Sequence, residues 1–412
     1  DKDLDVKIST DTRTIQKGDF YLPLKGASFD GEKFINQAFE KGAIGAFCTG
    51  DNGTLQVKDT LTAYLQLANY RRKKLNFTVV AITGSSGKTT TKELAASVLS
   101  EKFRTFKTPL NHNNEIGFCQ TIFEAPDDTE ILVLEMGMRG LGEIELLSKY
   151  AEPDITIISN VGTAHIGRLG SRENIAKAKC EIVKYQRGNI FIAHDDELIK
   201  KTVQFSGKKI FYSIKDVKIL EKDTHYSKFE YYGNIYELNV GGDYNIENAL
   251  SAINTGLALR MKVNEIQSGL KKYAPIEKRW EAVNAGGFEI INDSYNANPE
   301  SMRAFIDTIF ELYEKPVVIL GDMGELGEDE IKYHSELGKY INSHKNLRQD
   351  AEILSIGKLS KYITDGVTNC PAKHFETIEQ AVDYIKNKDT KVQLFLKASR
   401  SMKFERIIEE LK

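Results

Sequence analysis

The stretch that most constrains this fold is ITGSSGKTT, residues 82–90, which follows an apolar run rich in β-branched residues. A Walker A phosphate loop is written G-x-x-x-x-G-K-[ST], and here Ile82 stands where that pattern requires glycine. The context still fits a phosphate loop, because a buried strand leads in, Gly84 and Gly87 permit a tight turn, and a helix is predicted from Thr89. The alternative, a Gly/Ser turn capped by threonine, explains the turn but not the pairing of GKT with a buried strand.

A phosphate loop assigns a chemical task to each of its polar groups. Backbone N–H groups and the N-terminus of the following helix would face one anion. Lys88 would supply a point charge for the β- and γ-phosphates of a nucleotide, and the Thr89 hydroxyl would be a hard oxygen ligand for Mg²⁺. The predicted nucleotide-binding residues are therefore Gly84, Ser85, Ser86, Gly87, Lys88, Thr89 and Thr90.

Two further polar residues follow predicted strands at the same expected edge of the sheet. Glu135 ends the apolar run ILVLE, where ligands of an open sheet gather, and it is a candidate metal ligand; the alternative is a strand-end glutamate facing solvent. His165 follows the run ITIIS. A lone histidine on a loop is usually only solvated, so position alone leaves its role open.

Lys179 lies on the apolar side of a predicted helix. Helical spacing puts Ile175, Lys179, Ile182 and Val183 on one stripe. The amine either reaches back to the surface, which is the common outcome for such lysines, or is buried with a pKa lowered by desolvation and becomes nucleophilic.

The alternation of strands and helices predicts an α/β protein of three domains. The expected central domain, residues 76–274, has a parallel sheet like that of P-loop ATPases, with an added small antiparallel sheet between about 209 and 240 that includes IFYSI. A Rossmann-like domain is expected over 275–412, where a second alternating series begins, and a separate N-terminal unit over 1–75.

Composition narrows the class of partner. The net charge of -3 suggests neither nucleic acid nor an anionic membrane as partner, so small molecules are expected. Four scattered cysteines without a C-x-x-C pair argue against a zinc site or a disulfide framework. No signal-peptide pattern and no run of about 18 apolar residues is present, so we expect a cytoplasmic protein without membrane insertion.

Seven segments, in order and spacing, resemble those of the ATP-dependent Mur ligases: TGSSGKTTTKE, LNHNNEIG, LEMGMRGLGEI, SNVGTAHIGRLGS with AKAKCEI, NDSYNANPESM, LGDMGELGE and KASRSMKFERII. The N-terminal unit is also similar to the uridine-nucleotide domain of that family, so the resemblance covers nearly the whole chain. The shortened loop TGSSGKTT is the form that the family itself uses, which favours a phosphate loop.

The resemblance implies a ligase whose first domain holds a UDP-linked precursor, whose central domain holds ATP and Mg²⁺, and whose last domain brings the acceptor. Within the family it is strongest to the ligases that use UDP-N-acetylmuramoyl-tripeptide and D-Ala-D-Ala as substrates and pass through an acyl phosphate. A monomer is expected.

The resemblance also implies two magnesium ions. Thr89 and Glu135 correspond to ligands of one ion, and His165 to a ligand of the second. Lys179 corresponds to a lysine that CO₂ converts into a carbamate.

The remaining implied contacts concern the nucleotide and the two substrates. Asn245 and Asp293 match positions that contact adenosine, and Arg279 matches an arginine that reaches the phosphates. The first substrate-binding segment stands where the family writes D-S-R near the uridine nucleotide, the second lies in the asparagine-rich turn, and the third is the K-x-S-R segment near the acceptor. These residues are Asp11, Thr12, Arg13, Asn113, Asn114, Lys397, Ser399 and Arg400.

The chain departs from the family pattern at three positions. Leu110 and Cys119 stand where the family often has glycine and proline around the asparagine-rich turn, and Tyr244 replaces a histidine before Asn245. Glycine and proline set loop shape and supply no catalytic group, so the path of that loop is what these changes put in question.

Three other functions compete with this one. The sister ligase that adds the third amino acid typically carries a D-N-P-[RA] motif, which this chain lacks. Folylpolyglutamate synthetase would leave the N-terminal unit unexplained. A nonenzymatic protein that binds a nucleotide and closes around a sugar nucleotide would not need both substrates to release phosphate.

Overall fold

The computed structural model describes residues 6–26, 29–109, 111–276 and 278–412, whose strands form four sheets. The first sheet is parallel, in the order β1-β2-β3-β4. Its strands and the helices around it are β1 (Ile8–Ser9), β2 (Phe20–Tyr21), α1 (Ile35–Glu40), β3 (Gly45–Cys48), β4 (Leu55–Gln56) and α2 (Thr60–Leu75).

Helix α2 packs on the central domain through its basic end. The Arg71 guanidinium donates to the carbonyls of Ile122 and Ala125, and the buried Arg72 donates to those of Ala151 and Glu152. The accepting carbonyls lie at or beside the C-terminal ends of two central helices, where backbone acceptors lack intrahelical donors. Arg71 and Arg72 thus anchor helix α2 on the central domain, whereas Lys73 and Lys74 are exposed.

The central domain is built on a six-stranded parallel sheet in the order β10-β9-β8-β5-β7-β6, beside a three-stranded antiparallel sheet β11-β12-β13. Its elements are β5 (Thr78–Thr83), α3 (Lys88–Leu99), β6 (Thr105–Lys107), α4 (Glu115–Glu124), β7 (Ile131–Glu135), α5 (Glu143–Ala151), β8 (Ile155–Ile158), α6 (Ile166–Leu169), α7 (Arg172–Cys180), β9 (Ile190–His194), α8 (Glu197–Thr202), β10 (Lys208–Tyr212), β11 (Lys218–Lys222), β12 (Ser227–Tyr231), β13 (Asn234–Leu238), α9 (Asp243–Ala258) and α10 (Val263–Lys272).

The prediction for the segment IFYSI was wrong. Its first three residues belong to β10, which pairs in parallel with β9 as the last strand of the central sheet, and only β11 to β13 are antiparallel. A short β-branched and aromatic run is equally compatible with a parallel and an antiparallel strand. The parallel pairing here depends on helix α8, which connects β9 to β10 and returns the chain to the end of the sheet where β9 begins.

The strand order fixes where ligands gather. Strands β5 and β8 are neighbours, but the chain leaves β5 toward β6 at one edge and leaves β8 toward β9 on the other side. Such a reversal opens a crevice at the carboxyl ends of the strands, which is where open α/β sheets bind ligands. The loops after β5 and β8 flank this crevice.

The C-terminal domain has a six-stranded sheet in the order β14-β15-β19-β16-β17-β18, parallel except for β14. Four of these strands, β15, β16, β17 and β19, match the apolar runs of the second alternating series in the sequence. The structure adds the two edge strands, β14 and β18. The elements are β14 (Glu281–Ala285), β15 (Phe288–Asn292), α11 (Pro299–Leu312), β16 (Val317–Gly321), α12 (Glu330–Asn342), β17 (Glu352–Ile356), α13 (Lys361–Thr364), β18 (Ala372–Phe375), α14 (Ile378–Lys386), β19 (Gln393–Lys397) and α15 (Glu405–Leu411).

Short 3₁₀ turns connect several of these elements, at Gly31–Phe34, Glu181–Val183, Ile214–Asp216, Gly327–Asp329 and Arg400–Met402. The α/β fold with three domains and an added antiparallel sheet is as predicted. In the ranges that the structure describes, no helix combines the length and the apolar character needed to cross a membrane.

Candidate nucleotide and metal site

The phosphate loop needs its two glycines because side chains approach its backbone closely. A Cβ on Gly84 would lie 1.8 Å from Ser159 Oγ, and a Cβ on Gly87 would lie 2.4 Å from Asn248 Oδ1. Gly87 also has φ +75°, a left-handed conformation that favours glycine. The loop is therefore pressed between the loop after β8 and helix α9.

Asn160 holds the middle of the loop. Its Oδ1 accepts from the backbone N–H of Ser85 at 3.1 Å and of Ser86 at 3.0 Å, while Ser159 Oγ donates to the Ser86 carbonyl at 2.6 Å. Lys88 Nζ donates to the Gly84 carbonyl at 2.8 Å, so the lysine side chain folds back over its own loop.

Helix α3 presents its N-terminus at this loop. Its N-cap is Gly87, which has no side chain to cap the first turn, and Thr91 N donates to the Gly87 carbonyl at 2.8 Å. The N–H groups of the first turn have no acceptor within the helix, and the helix dipole adds positive potential there. Such an end binds anions such as phosphate.

The Lys88 ammonium is surrounded by groups from both α/β domains. Burial lowers the pKa of Lys88, the Arg279 guanidinium lowers it further, and the carboxylates of Glu135 and Glu325 act in the opposite direction. Arg279 and Glu325 belong to the C-terminal part of the chain. Charges of two domains therefore meet at the phosphate loop.

Glu135 is a buried carboxylate with one oxygen that accepts no hydrogen bond in the described part of the chain. Its side chain is about 2% exposed; Oε1 accepts from Asn113 Nδ2 at 2.9 Å, and Lys92 Nζ lies 3.8 Å from Oε2. Oε2 has no hydrogen-bond partner. The alternative of a solvent-facing glutamate is thereby contradicted. A buried carboxylate oxygen beside a phosphate loop is the type of ligand that Mg²⁺ takes.

A magnesium ion fits this donor set better than a metal held entirely by protein. In the described part of the chain, no three His, Cys, Asp or Glu side chains group closely enough for a protein cage. Mg²⁺ is usually held by one or two carboxylates together with phosphates and water. Buried Thr89 and Glu135 meet that requirement.

His165 lies at the start of helix α6 and faces the C-terminal domain. Its Nδ1 is 2.6 Å from Glu325 Oε2, and this contact with His165 lowers the pKa of Glu325. His165 has φ +66° and Glu325 has φ +61°. For residues other than glycine this conformation costs roughly 1–3 kcal/mol, and such strain clusters at functional sites.

Lys179 is buried, with 1% of its surface exposed, and shares this environment with Ile175, Ile182 and Val183. The alternative in which its amine reaches the surface is therefore contradicted. Desolvation lowers the pKa of Lys179 well below its usual value, and the charge of Lys88 lowers it further. A neutral amine of this kind is nucleophilic.

The two asparagines of the asparagine-rich turn contact different parts of the central domain, Glu135 and helix α4. Asn113 contacts Glu135, whereas the Asn114 side chain accepts from Gly117 N at 2.9 Å and caps α4. Cys119 is buried in the same helix. Leu110 lies outside the described residues.

Asn245 and its neighbour Tyr244 lie in the first turns of helix α9. Asn245 is buried and donates through Nδ2 to the Gly241 carbonyl at 2.7 Å. The Tyr244 ring packs edge-on against Trp280, with centroids 5.7 Å apart. The tyrosine at this position therefore forms part of the contact between α9 and the start of the C-terminal domain.

Arg279 lies in a strained turn. Lys278 and Trp280 on either side of it have φ values of +62° and +57°, and its guanidinium lies over the Tyr295 ring, 3.9 Å from the centroid. Asp293 forms an ion pair with Lys397. The structure thus brings together Asp293 and Lys397, which the sequence places in different segments.

The other predicted substrate residues lie in two separate places. Arg13 forms an exposed ion pair of 2.7 Å with Asp11, which lowers the Asp11 pKa to about 2 through their hydrogen bonds, and Thr12 Oγ1 donates to Gln37 Oε1 at 3.0 Å. Ser399 Oγ lies 3.1 Å from Ser401 Oγ, and Arg400 donates to Glu405 Oε1 at 3.1 Å. These contacts join neither group to the phosphate loop.

Two family models match the chain, the Mur ligase middle domain over residues 82–256 and the Mur ligase, glutamate ligase domain over residues 278–400. The UDP-N-acetylmuramoyl-tripeptide--D-alanyl-D-alanine ligase of Bacillus subtilis is 37% identical over 432 residues, which cover 98% of this chain and 92% of that protein. The chain belongs to the Mur ligase family.

Solved structures agree with this membership. The fold of this Mur ligase is similar to that of MurF from Acinetobacter baumannii, with a TM-score of 0.89, 29% identity and coverage of 98% and 93% of the two chains. It is also similar to MurF ligase from Thermotoga maritima in complex with ADP, with a TM-score of 0.88, 28% identity and coverage of 100% and 98%.

Several residues of this Mur ligase site were not predicted from the sequence. Asn160 and Asn248 support the phosphate loop, and Glu300 accepts from Thr163 Oγ1 at 2.8 Å beside His165. Asn160 directly follows a strand end, which is a signal that sequence analysis can use. Asn248 and Glu300 lie in helices far along the chain, and only the tertiary structure brings them close.

Proposed function

We propose that this Mur ligase joins D-Ala-D-Ala to the terminal carboxyl group of UDP-N-acetylmuramoyl-tripeptide, and converts ATP into ADP and phosphate in cell-wall precursor synthesis. The observation that carries this proposal is the loop at the N-terminus of α3, which lies beside the buried Glu135 because the strand residue Ile82 pairs with Glu135 in the sheet. It is supported by the likeness, over 98% of the chain, to a protein named for the same reaction. We expect the reaction to take place in the cytoplasm, in a monomeric enzyme.

The chemistry requires activation because a carboxylate does not react with amines. An oxygen of the tripeptide carboxylate attacks the γ-phosphorus of ATP, the bond to ADP breaks, and an acyl phosphate forms. The amino group of D-Ala-D-Ala then attacks the acyl carbon, loses a proton, and expels phosphate. That phosphate carries away one oxygen of the original carboxylate.

Phosphoryl transfer of this kind depends mainly on alignment and on neutralisation of charge. The N-terminus of α3 and the loop at 84–90 would hold the β- and γ-phosphates, with Lys88 over them. Arg279 would approach the same phosphates from the C-terminal domain, and its planar guanidinium can form paired hydrogen bonds to phosphate oxygens.

Thr89 and Glu135 would hold one magnesium ion, and His165 and carbamylated Lys179 a second. When bound, Mg²⁺ would neutralise charge on the transferring phosphate oxygens. The neutral amine of Lys179 can add to CO₂ with loss of a proton, which gives a carbamate anion. This anion provides a hard oxygen ligand where an ammonium group would repel the ion.

The remaining site residues are assigned to substrates by domain. In the N-terminal domain, residues 1–75, Asp11, Thr12 and Arg13 would contact the uridine nucleotide. In the central domain, residues 76–274, Asn113 and Asn114 would contact the precursor and Asn245 the adenosine. In the C-terminal domain, residues 275–412, Asp293 would also contact the adenosine. Three further residues of this domain would contact the dipeptide: Lys397, Ser399 and Arg400.

An isotope experiment tests the proposed reaction. Tripeptide precursor labelled with ¹⁸O in both oxygens of its terminal carboxylate is incubated with ATP, Mg²⁺ and D-Ala-D-Ala, and the released phosphate is analysed by mass spectrometry. We expect one ¹⁸O atom per phosphate. Unlabelled phosphate would refute the acyl-phosphate route, and phosphate release that does not need the dipeptide would favour a nucleotide-gated binding protein.

A further inference from the structure

The loop between strand β8 and helix α6 contacts the C-terminal domain at several points. Thr163 Oγ1 donates to Glu300 Oε2 at 2.8 Å, and His165 Nδ1 lies 2.6 Å from Glu325 Oε2. A Cβ on Gly167 would lie 2.6 Å from Gly327 N, so the two backbones touch. Together these contacts form an interface of backbone and side chains, with His165 inside it.

From this interface we infer that Glu325 is a positioning residue for His165, and that the C-terminal domain in this way prepares a metal ligand of the central domain. The inference rests on the proposed function, in which His165 is a magnesium ligand. Its basis is the carboxylate of Glu325 beside Nδ1, which leaves Nε2 as the nitrogen available to a metal.

The physical reason lies in the two nitrogens of neutral imidazole. One nitrogen carries a proton and donates, and the other has the lone pair that binds a metal. A carboxylate that accepts from Nδ1–H fixes the tautomer and the ring orientation, as is usual for histidines that bind metals. Without Glu325, the ring can rotate and the proton can move to Nε2.

The segment that carries Glu325 is held firmly enough to orient another side chain. The Asp322 carboxylate accepts from the backbone N–H groups of Lys358, Leu359 and Ser360 at 3.1, 3.0 and 2.7 Å. Met323 N donates to Nε2 of the fully buried His334 at 2.9 Å. The segment is thus tied to the body of the C-terminal domain just before Glu325.

Both partners also adopt a costly backbone conformation. His165 and Glu325 each have a positive φ near +60°, which residues with a Cβ rarely adopt. Backbone strain of this kind persists where the surrounding structure imposes it. The strain on both sides of one ion pair is an observation independent of the distance between them.

The experiment compares Glu325→Ala and Glu325→Gln with a control, Glu328→Gln, which changes an exposed glutamate three residues along that pairs with no cation among the residues that the structure describes. Loss of a group that orients a metal-binding histidine typically costs about 10–100-fold in activity or metal affinity, so we expect a loss in that range in kcat for Glu325→Ala, together with a higher Mg²⁺ requirement. Glu325→Gln keeps a neutral acceptor and should fall between Glu325→Ala and the control, whose activity should be unchanged. Equal kcat in all three variants would overturn the inference.

A second readout does not depend on activity. In metal-free protein with ¹⁵N-labelled histidine at pH 8.5, NMR shifts report which nitrogen of each neutral ring carries the proton. The variant His165→Gln identifies the signals of His165 among those of the seven histidines. We expect Nδ1–H for His165 in the wild type, and a shift toward Nε2–H in Glu325→Ala only. Nε2–H in the wild type, or no shift in the variant, would overturn the inference.

A double-mutant comparison separates positioning from a merely structural contact. If Glu325 acts through His165, Glu325→Ala should cause no further loss in the background of His165→Ala. A second loss of similar size in that background would contradict the inference. Failure of the wild type to ligate would refute the proposed function, whereas the tautomer measurement uses no substrate and judges the orientation of His165 separately.

Discussion

The phosphate loop and the loop that carries His165 are supported by different parts of the chain. The phosphate loop contacts Ser159, Asn160 and Asn248, all in the central domain. The His165 loop is contacted by Glu300 and Glu325 of the C-terminal domain. In the proposed function, nucleotide phosphates would therefore meet a loop that one domain builds alone, whereas the region around His165 would be complete only when two domains lie together. Changes at the first should cause the larger loss of activity, and changes at the second a smaller one.

The largest effect is expected for Lys88→Ala. Loss of a charge that faces the transferring phosphoryl group should lower kcat on the order of 10²–10³-fold, as for other preorganised electrostatic groups. The fold should be retained, because in the part of the chain that the structure describes the Lys88 ammonium donates to its own loop and not to a core group. The rate of ADP formation and the thermal unfolding curve check both expectations, with exposed Lys201→Ala as the control. Near-normal turnover by folded Lys88→Ala would contradict the larger role that the comparison gives to the phosphate loop.

Lys179→Ala should come next, with a loss on the order of 10²-fold if the carbamate stabilises charge in the transition state. Thermal stability should change little, since desolvation disfavours the charged amine and no hydrogen bond of that amine within the described ranges offsets this cost. Small carboxylic acids in the buffer should restore part of the rate, and removal of CO₂ should slow the wild type. Lys177→Ala, an exposed lysine of the same helix, is the matched control. Full activity of Lys179→Ala would show that the carbamate has no role.

Arg279→Lys should lower kcat about 10-fold. Lysine keeps the charge but loses the planar pair of donors and the stacking on Tyr295, which amounts to roughly 1.5 kcal/mol for one charged hydrogen bond. Steady-state rates at saturating ATP measure the effect. A loss as large as that of Lys88→Ala would mean that the C-terminal domain contributes as much to the phosphate site as the central domain does.

The smallest effect is expected for Thr163→Val. The change removes one hydrogen bond to Glu300 and keeps the shape of the side chain, so a loss of about threefold in kcat is expected from roughly 0.6 kcal/mol. Rate measurements over several Mg²⁺ concentrations would detect it. A loss above about 200-fold would show that the interface acts as one cooperative unit, since a single hydrogen bond to a carboxylate is worth about 3 kcal/mol at most.

Local sequence locates the parts of the site that lie in one segment. It places a turn between a buried strand and a helix at residues 84–90, Glu135 at a strand end, and Lys179 on the apolar stripe of a helix, because strand and helix periods decide which side chains share a face. The burial of Glu135 and of Lys179 was left open by the sequence and is given by the structure. The order of strands in the sheets is less accessible. Strand β10 mixes charged with apolar residues much as the antiparallel strands after it do, so the local pattern does not show which sheet it joins.

Contacts between distant segments could not be predicted from the same pattern. Glu325 and Glu300 lie more than 130 residues after His165 and Thr163, and nothing in their local sequence points to a histidine or a threonine. The contact of Glu181 was equally unpredictable: its buried carboxylate accepts a hydrogen bond from Gly142 N at the start of α5. Such pairs depend on how packed elements face one another, and a single sequence does not contain that information.

The most direct test of the central claim is ADP formation by the wild-type protein with both substrates, with each alone and with neither, followed by the mass of the product. We predict rapid ADP release only when UDP-N-acetylmuramoyl-tripeptide and D-Ala-D-Ala are both present, with one pentapeptide precursor formed per ADP. The lysine and diaminopimelate forms of the tripeptide should be compared. ADP release that is independent of the dipeptide, or no pentapeptide with either form, would contradict the account.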